Sequence, residues 1–402
     1  MSSAGLKRRA AYGALLRREH YVPFTLTVAL ARMSAMMFTT GGVLLVLSRT
    51  GNTALAGVTA AAAVLPGSLS GPVLGAWLDV ARHRRLLIVI DQLLSVIGLL
   101  AIVALVGHAP DWTVPAVAVI YSITRPLSVG SFFSTLNEVV GVELIDTAST
   151  IEASSLNLAF LLGPALAGLL AGAASPAIAV VVQAGLTLVV AGLVAVNPVF
   201  ELRSPHRAPD ARSALRDGLR SIVASPLMLS VGVASVLASL GWGLMNLGFP
   251  LYAVHSLHVG AHNSGYLWAA VAGGSITGTF VLHGAPSRRR IALSYMLLGL
   301  SALLWPLAHV LTLGILLVGL TGFLEGPAYS GTITLRQRLA PPAVRGQVIN
   351  TLAGANLVAV SAGSAIGGAI GHALPLILAF LAINLVAAAI VAGTRLRARL
   401  GG

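Results

Sequence analysis

The chain has 402 residues, of which 56% are hydrophobic and only 9% charged, and its mean hydropathy is +0.90. A soluble globular domain carries about a quarter charged residues, so that class is excluded. The net charge of +13 does not point to nucleic acid either, because the basic residues gather at the ends of apolar runs, as orientation in a membrane requires.

The basic clusters are Lys7 to Arg18, Arg82 to Arg85, Arg203 to Arg220, Arg288 to Arg290, Arg336 to Arg345 and Arg395 to Arg399. Only Arg32, Arg49 and Arg125 fall elsewhere. With every cluster on the cytoplasmic side, both termini are inside and the number of crossings is even. The chain has no cysteine, which excludes a disulfide framework and a thiolate metal site. Its preference for Arg over Lys, with abundant Ala and Gly, suggests a GC-rich bacterial genome and hence a plasma (inner) membrane.

A helix needs roughly 20 apolar residues to cross the hydrocarbon core. Such spans are predicted at 21–48, 53–78, 86–107, 112–138, 147–172, 176–199, 225–252, 264–283, 291–309, 311–335, 346–372 and 374–394. The first run is too long for the apolar core of a cleavable signal peptide, so none is expected. Barrel strands are excluded because these runs are continuous and longer than such strands need.

The segment 200–224 interrupts the pattern with Pro205, Pro209 and five arginines. It reads as a cytoplasmic linker whose later part, Arg212 to Val223, forms an amphipathic surface helix. The expected organisation is all-α: a segment 1–20, a six-helix bundle 21–199, the linker 200–224, a second six-helix bundle 225–394 and a tail 395–402. The halves are related in sequence. An offset of 199 aligns residues 151–168 with 350–367, placing Asn157 on Asn356 and Gly168 on Gly367. Arg84 and Arg85 likewise precede span 3 as Arg289 and Arg290 precede span 9. Repeats of this kind mark transporter folds, with the substrate site near the midplane.

The loop after span 2 carries Gly75, then Asp79, then Arg82, His83, Arg84 and Arg85. This resembles motif A of the major facilitator superfamily. Gly75 permits close helix approach, and Asp79 can face a helix N-terminus, whose partial positive charge favours an anion. Val80 and His83 depart from the family pattern, and the second-half copy, 283–290, lacks the Asp. In span 5, Gly163, Pro164 and Gly168 resemble the antiporter motif of drug-exporting members, although Ala167 stands where a glycine is usual. Small residues there let backbones approach. The stretches from Arg125 and Pro126 to Leu144, and from Glu325 and Pro327 to Gly346, are similar to helices 4 and 10 of the enterobactin-exporter and macrolide-efflux branch. Arg125 also falls near the arginine of the family's motif B, with Gly130 one residue late for that pattern.

Ionisable residues inside a membrane are functional candidates by default. Arg32 lies about 16 Å into span 1 and Arg125 about 20 Å into span 4, and Glu325 is at similar depth in span 10. The resemblance implies that helices 1, 4, 7 and 10 line a central cavity and that these three residues point into it, with Arg125 and Arg32 as partners of Glu325. Arginine does not deprotonate in proteins, so Glu325 is the expected proton site; the alternative is a static ion pair. Asp91, Glu138 and Glu152 are read as inner-gate partners of the arginine loops. Trp242, Trp268 and Trp305 either stack on an aromatic substrate or anchor the interface. Asn157, Asn246 and Asn356 either contact substrate or make interhelical hydrogen bonds. His255, His258 and His262 flank an outward loop without carboxylates and read as surface residues, so no metal and no other cofactor is expected.

A P-loop, an HExxH and a nucleophile elbow are all missing from the sequence, so no enzyme is expected. The expected function is proton-coupled export of small amphipathic molecules, drug-like or siderophore-like, by a monomer in the bilayer. Two alternatives stand beside it: an importer or facilitator of a small anionic metabolite, and a non-transporting membrane sensor or scaffold.

Overall fold

Proline and glycine punctuate the chain where its helices begin, end and break. The computed structural model describes residues 13–81, 83–141, 144–201, 211–282, 284, 287–341 and 344–394. The helices of the first half are α1 (Tyr21–Thr50), α2 (Thr53–Ala62), α3 (Leu65–Val80), α4 (Arg84–Leu105), α5 (Thr113–Ile123), α6 (Pro126–Val140), α7 (Ile145–Ala173) and α8 (Pro176–Val196). The linker forms α9 (Ala211–Ala224). The second half holds α10 (Pro226–His255), α11 (Ser264–Val281), α12 (Arg288–Ser301), α13 (Leu311–Leu339), α14 (Arg345–Ile370) and α15 (Ala373–Gly393).

The caps follow from residue chemistry. Asn52, Ser175, Ser225 and Ser287 accept backbone N–H bonds at the starts of α2, α8, α10 and α12, each satisfying an orphan donor. Gly51 (φ 65°) and Gly371 (φ 67°) end α1 and α14 in the left-handed region, where a side chain is strained. Arg49, outside the basic clusters, donates to the Val103 and Val106 carbonyls at the end of α4.

Among the described residues, nine helices are long and apolar enough to cross a membrane. Helices nevertheless occupy all of the expected segments. The expected spans 112–138, 147–172 and 264–283 are not among these nine. The first is split ahead of Pro126 into α5 and α6. In the second, the described apolar stretch is Leu158–Ala173, and the side chain of Asn157 just before it lies outside the described residues. The third, α11, is rich in Ser, Thr and Gly because it is wedged between α7 and α13 and needs little lipid-facing surface.

The two halves repeat one packing scheme. In the first, α1 packs on α7 and α8, and α4 on α8; in the second, α10 packs on α14 and α15, and α12 on α15. Pairing of α2–α3 with α5–α6 is matched by pairing of α11 with α13. The α11–α13 seam is the tightest of these. A Cβ added at Gly274, Gly278, Gly322 or Gly326 would run into backbone of the facing helix, the small-residue packing that brings membrane helices together. The aromatic core belongs to the second half: Trp242, Phe249, Trp268, Trp305 and Phe380 meet with ring centroids 5.0 to 6.5 Å apart.

The halves meet by α7 against α11 and by α2 against α14. Gly168 faces Gly265 in the first contact, and Gly57 faces Gly368 in the second. All four lie toward the end of the bundle opposite the arginine clusters. Gly278→Val is expected to lower the thermal midpoint of the purified protein, by about 1–3 kcal/mol of overpacking strain. An unchanged midpoint would show that the α11–α13 seam is not close-packed.

Candidate functional site

Helix α1 passes Arg32 through the bilayer with almost no solvent contact (9% exposed). A buried charge is costly unless paired and hydrogen-bonded, and α7 supplies the partners. Arg32 Nη1 lies 2.6 Å from Glu152 Oε2 and donates to Ser155 Oγ (2.7 Å) and to the Glu152 carbonyl (3.0 Å). Glu152 and Ser155 are three residues apart, so they share a helix face. The expected arrangement, with Arg32 facing Glu325 and Glu152 at the inner surface, is therefore corrected. Glu152 is 3% exposed and belongs to a pair that joins α1 to α7.

Arg125 stands in a break, not in a continuous span. Pro126 cannot donate to the Ser122 carbonyl, and Pro66 cannot donate to that of Ala62. Spans 2 and 4 accordingly break side by side, between α2 and α3 at 63–64 and between α5 and α6 at 124–125. Ser122 Oγ donates to the orphaned Ala62 carbonyl at 3.0 Å, and the Arg125 N–H takes the Ser122 carbonyl at 3.2 Å. Gly67 lies so close to that carbonyl that a Cβ would be 2.6 Å from it. Broken helices of this kind line binding sites in transporters.

Asp91 of α4 sits beside this break. It is 1% exposed, and among the described residues it makes none of the ion pairs with the arginine loops that the sequence suggests. Ser128 Oγ donates to its Oδ2, and Gln92 Nε2 donates to Ser128 Oγ at 2.7 Å. Its Oδ1 has no hydrogen-bond partner among the described residues. Glu138 is half-buried near the end of α6.

Glu325 lies midway along α13, within the glycine seam. Ser275 Oγ of α11 donates to its Oε2 at 2.5 Å. Among the described residues no arginine lies within 4.0 Å of it, so the expected partnership with Arg32 and Arg125 is not formed. Asn246 and Asn356 join α10 to α14: Asn246 Nδ2 donates to Ser364 Oγ (2.9 Å), and Asn356 Oδ1 accepts from Ser235 Oγ (3.1 Å). Trp242 packs in the aromatic core, and Trp305 donates to Thr321 Oγ1 at 2.9 Å.

In the loop that resembles motif A, Arg85 pairs with Glu201 at 2.8 Å and Arg84 is buried. Arg82 and the side chains of Gly75, Asp79 and Asn157 lie outside the described residues. In α7, Gly163 lies against Met36 of α1, and Gly168 against Gly265 of the other half. Pro164, between them, is accommodated within the helix.

Arg336 was not singled out from the sequence, because it opens a basic cluster at a helix end. It is 7% exposed, donates to the Val231 carbonyl of α10 at 3.4 Å, and its Nε has no partner among the described residues. The available signal was spacing. Glu325, Tyr329, Thr332 and Arg336 recur at i, i+4, i+7 and i+11, one polar stripe along α13.

The profile of the Major Facilitator Superfamily matches residues 24–349. The chain belongs to this family. It is therefore a membrane transporter and not an enzyme. It is 28% identical over 404 residues to an uncharacterized MFS-type transporter, y4rN, of Sinorhizobium fredii (strain NBRC 101917 / NGR234), covering 96% of this chain and 97% of that protein. It is 24% identical over 356 residues to the multidrug efflux pump Tap of Mycolicibacterium fortuitum, covering 85% and 86%. Among solved structures, a bacterial homolog of the human lysosomal transporter Spinster, inward-facing and unoccupied, matches with TM-score 0.67 at 14% identity, covering 95% and 96%. The nucleoside transporter NupG matches with TM-score 0.66 at 14% identity, covering 92% and 98%. At these identities the structures establish the fold.

Arg32→Gln strands a buried carboxylate in this transporter and is expected to cost about 3–5 kcal/mol, read as a large fall in thermal midpoint. Removing both charges, as Arg32→Met with Glu152→Leu, should recover most of that loss. If Arg32→Gln alone melts like the unmodified protein, the pair does not hold α1 to α7.

Proposed function

We propose that this transporter is a proton-coupled exporter of small amphipathic molecules, drug-like or siderophore-like. It works as a monomer of twelve crossings in a bacterial inner membrane, by alternating access. The observation that carries this reading is the position of the inter-half seams. The contacts of Gly57 with Gly368 and of Gly168 with Gly265 lie at one end of the bundle, and the Arg32–Glu152 and Arg85–Glu201 pairs among the described residues join helices of one half or that half to its own loop. Glycine contacts seal one end without interlocking side chains, so the halves can rock apart there. With the arginine clusters placed in the cytoplasm, the sealed end is the outer one. The cargo class draws on the likeness to Tap and on the largely apolar helices. Asp79 is assigned to the inner latch, and Asp79→Asn should slow transport severely while leaving folded protein in the membrane.

Glu325 is assigned the coupling proton. It is a mid-span carboxylate that accepts from the Ser275 hydroxyl, and among the described residues no fixed positive charge lies within 4.0 Å to keep it ionised. In proteoliposomes, Glu325→Gln should abolish accumulation driven by a pH gradient while leaving energy-independent exchange intact. Unchanged gradient-driven accumulation would remove Glu325 from the mechanism and leave Asp91 as the buried carboxylate able to serve. Orientation is tested separately. Reporter fusions at Pro209 and at the C-terminus should report cytoplasm, and fusions at His108 and His258 the outside. A cytoplasmic signal at His258 would break the six-plus-six arrangement.

A second reading, entry of a small anionic metabolite, rests on the intramembrane arginines. It is weakened because Glu152 neutralises Arg32, leaving Arg125 and the buried Arg336 for an anion.

A further inference from the structure

A cavity of about 490 Å³ opens between α11, α12 and α13, on the opposite side of α13 from Arg336, at the basic end of the bundle. Its lining includes Thr279, Gly284, Arg290, Ser330, Thr334 and Arg338, and none of the described lining residues is a carboxylate. The two guanidiniums come from different helices, α12 and α13. Neither has an acidic partner within 4.0 Å among the described residues. The Arg290 guanidinium lies against the backbone of Gly284, in space that any side chain at 284 would fill.

Like charges that converge on one cavity repel each other, and an anion between them offsets the repulsion. Guanidinium groups suit phosphate because their N–H donors match its oxygens in pairs. The hydroxyls of Thr279, Ser330 and Thr334 already donate to carbonyls of their own helices, each at 2.8 Å. Recognition therefore falls to the two arginines, with the hydroxyl oxygens able only to accept. We propose that this cavity binds a phosphate-bearing anion, separate from the transport path, held by Arg290 and Arg338. Two sources share that chemistry: the headgroup of an anionic phospholipid in the adjoining leaflet, and a soluble phosphate ester.

The test uses the full-length protein in detergent. Native mass spectrometry measures retention of phosphatidylglycerol and of cardiolipin against phosphatidylcholine, and thermal shift measures binding of inorganic phosphate and glycerol phosphate. Retention of the anionic lipids that falls about tenfold in R290Q/R338Q supports the site with a lipid headgroup as its source. Stabilisation by glycerol phosphate that is lost in the same variant supports the site with a soluble source. R289Q removes a neighbouring exposed charge of α12 and should leave both readouts unchanged. R338Q alters an exposed residue, so it keeps the test open if the double variant does not fold, and should weaken the same readout. The proposal is overturned if neither anion distinguishes the unmodified protein from the arginine variants, or if R289Q weakens binding as much as R338Q does.

Discussion

The structure depends on one constraint: inside a membrane, a polar backbone group that loses its partner has no water to turn to. Wherever proline removes a donor, another group of the chain must take the carbonyl. That requirement draws spans 2 and 4 together at paired breaks, since the carbonyl orphaned by Pro66 is met by Ser122 and the one orphaned by Pro126 by the Arg125 amide. Regular helices face the opposite situation. Their backbones are satisfied internally, so two of them can touch directly wherever side chains are small. The inter-half seams use this freedom, and their strength is van der Waals contact.

Charge follows the same logic within each half. The Arg32–Glu152 pair spans α1 and α7, both in the first bundle. Separating its members would expose two charges to a low dielectric, at a cost of several kcal/mol. The pair therefore acts as an internal bolt, whereas Gly168 against Gly265 is a contact that can be surrendered. A carrier whose halves move as bodies needs that division: strong polar ties inside each bundle and weak apolar ones between bundles.

Much of this architecture was legible in the sequence. Apolar runs and arginine clusters located the helical segments. The offset of 199 between the halves reappears as one helix-pairing scheme used twice. The candidate site was less legible, for specific reasons. Helix depth brought Arg32 and Glu325 to one level, but depth carries no information about the face a residue presents. Its position near a helix start places Glu152 at the surface, yet the pairing with Arg32 of α1 encloses it. Pro66 and Pro126 were absorbed into continuous spans, because a hydropathy window averages over a break of two residues. Arg336 was read with its charged neighbours; its i, i+4, i+7, i+11 relation to Glu325, Tyr329 and Thr332 would have separated it from Arg338.

That stripe gives α13 two different faces. Glycines 322 and 326 bind one side of the helix to α11, and beside them Glu325 meets Ser275. Three turns further on, about 16 Å along the axis, Arg336 reaches α10 at the Val231 carbonyl. Between them, Thr332 Oγ1 lies 3.2 Å from the Tyr295 hydroxyl of α12. A carboxylate and a guanidinium on one face, too far apart to pair, make a polar line from mid-bilayer toward the basic end. A line of this kind costs stability in a helix that packing alone would fill with leucine. In the exporter proposed above, this line would serve as the route along which charge or a polar cargo group exchanges partners as the halves rock, with Pro327 of α13 just beyond Glu325.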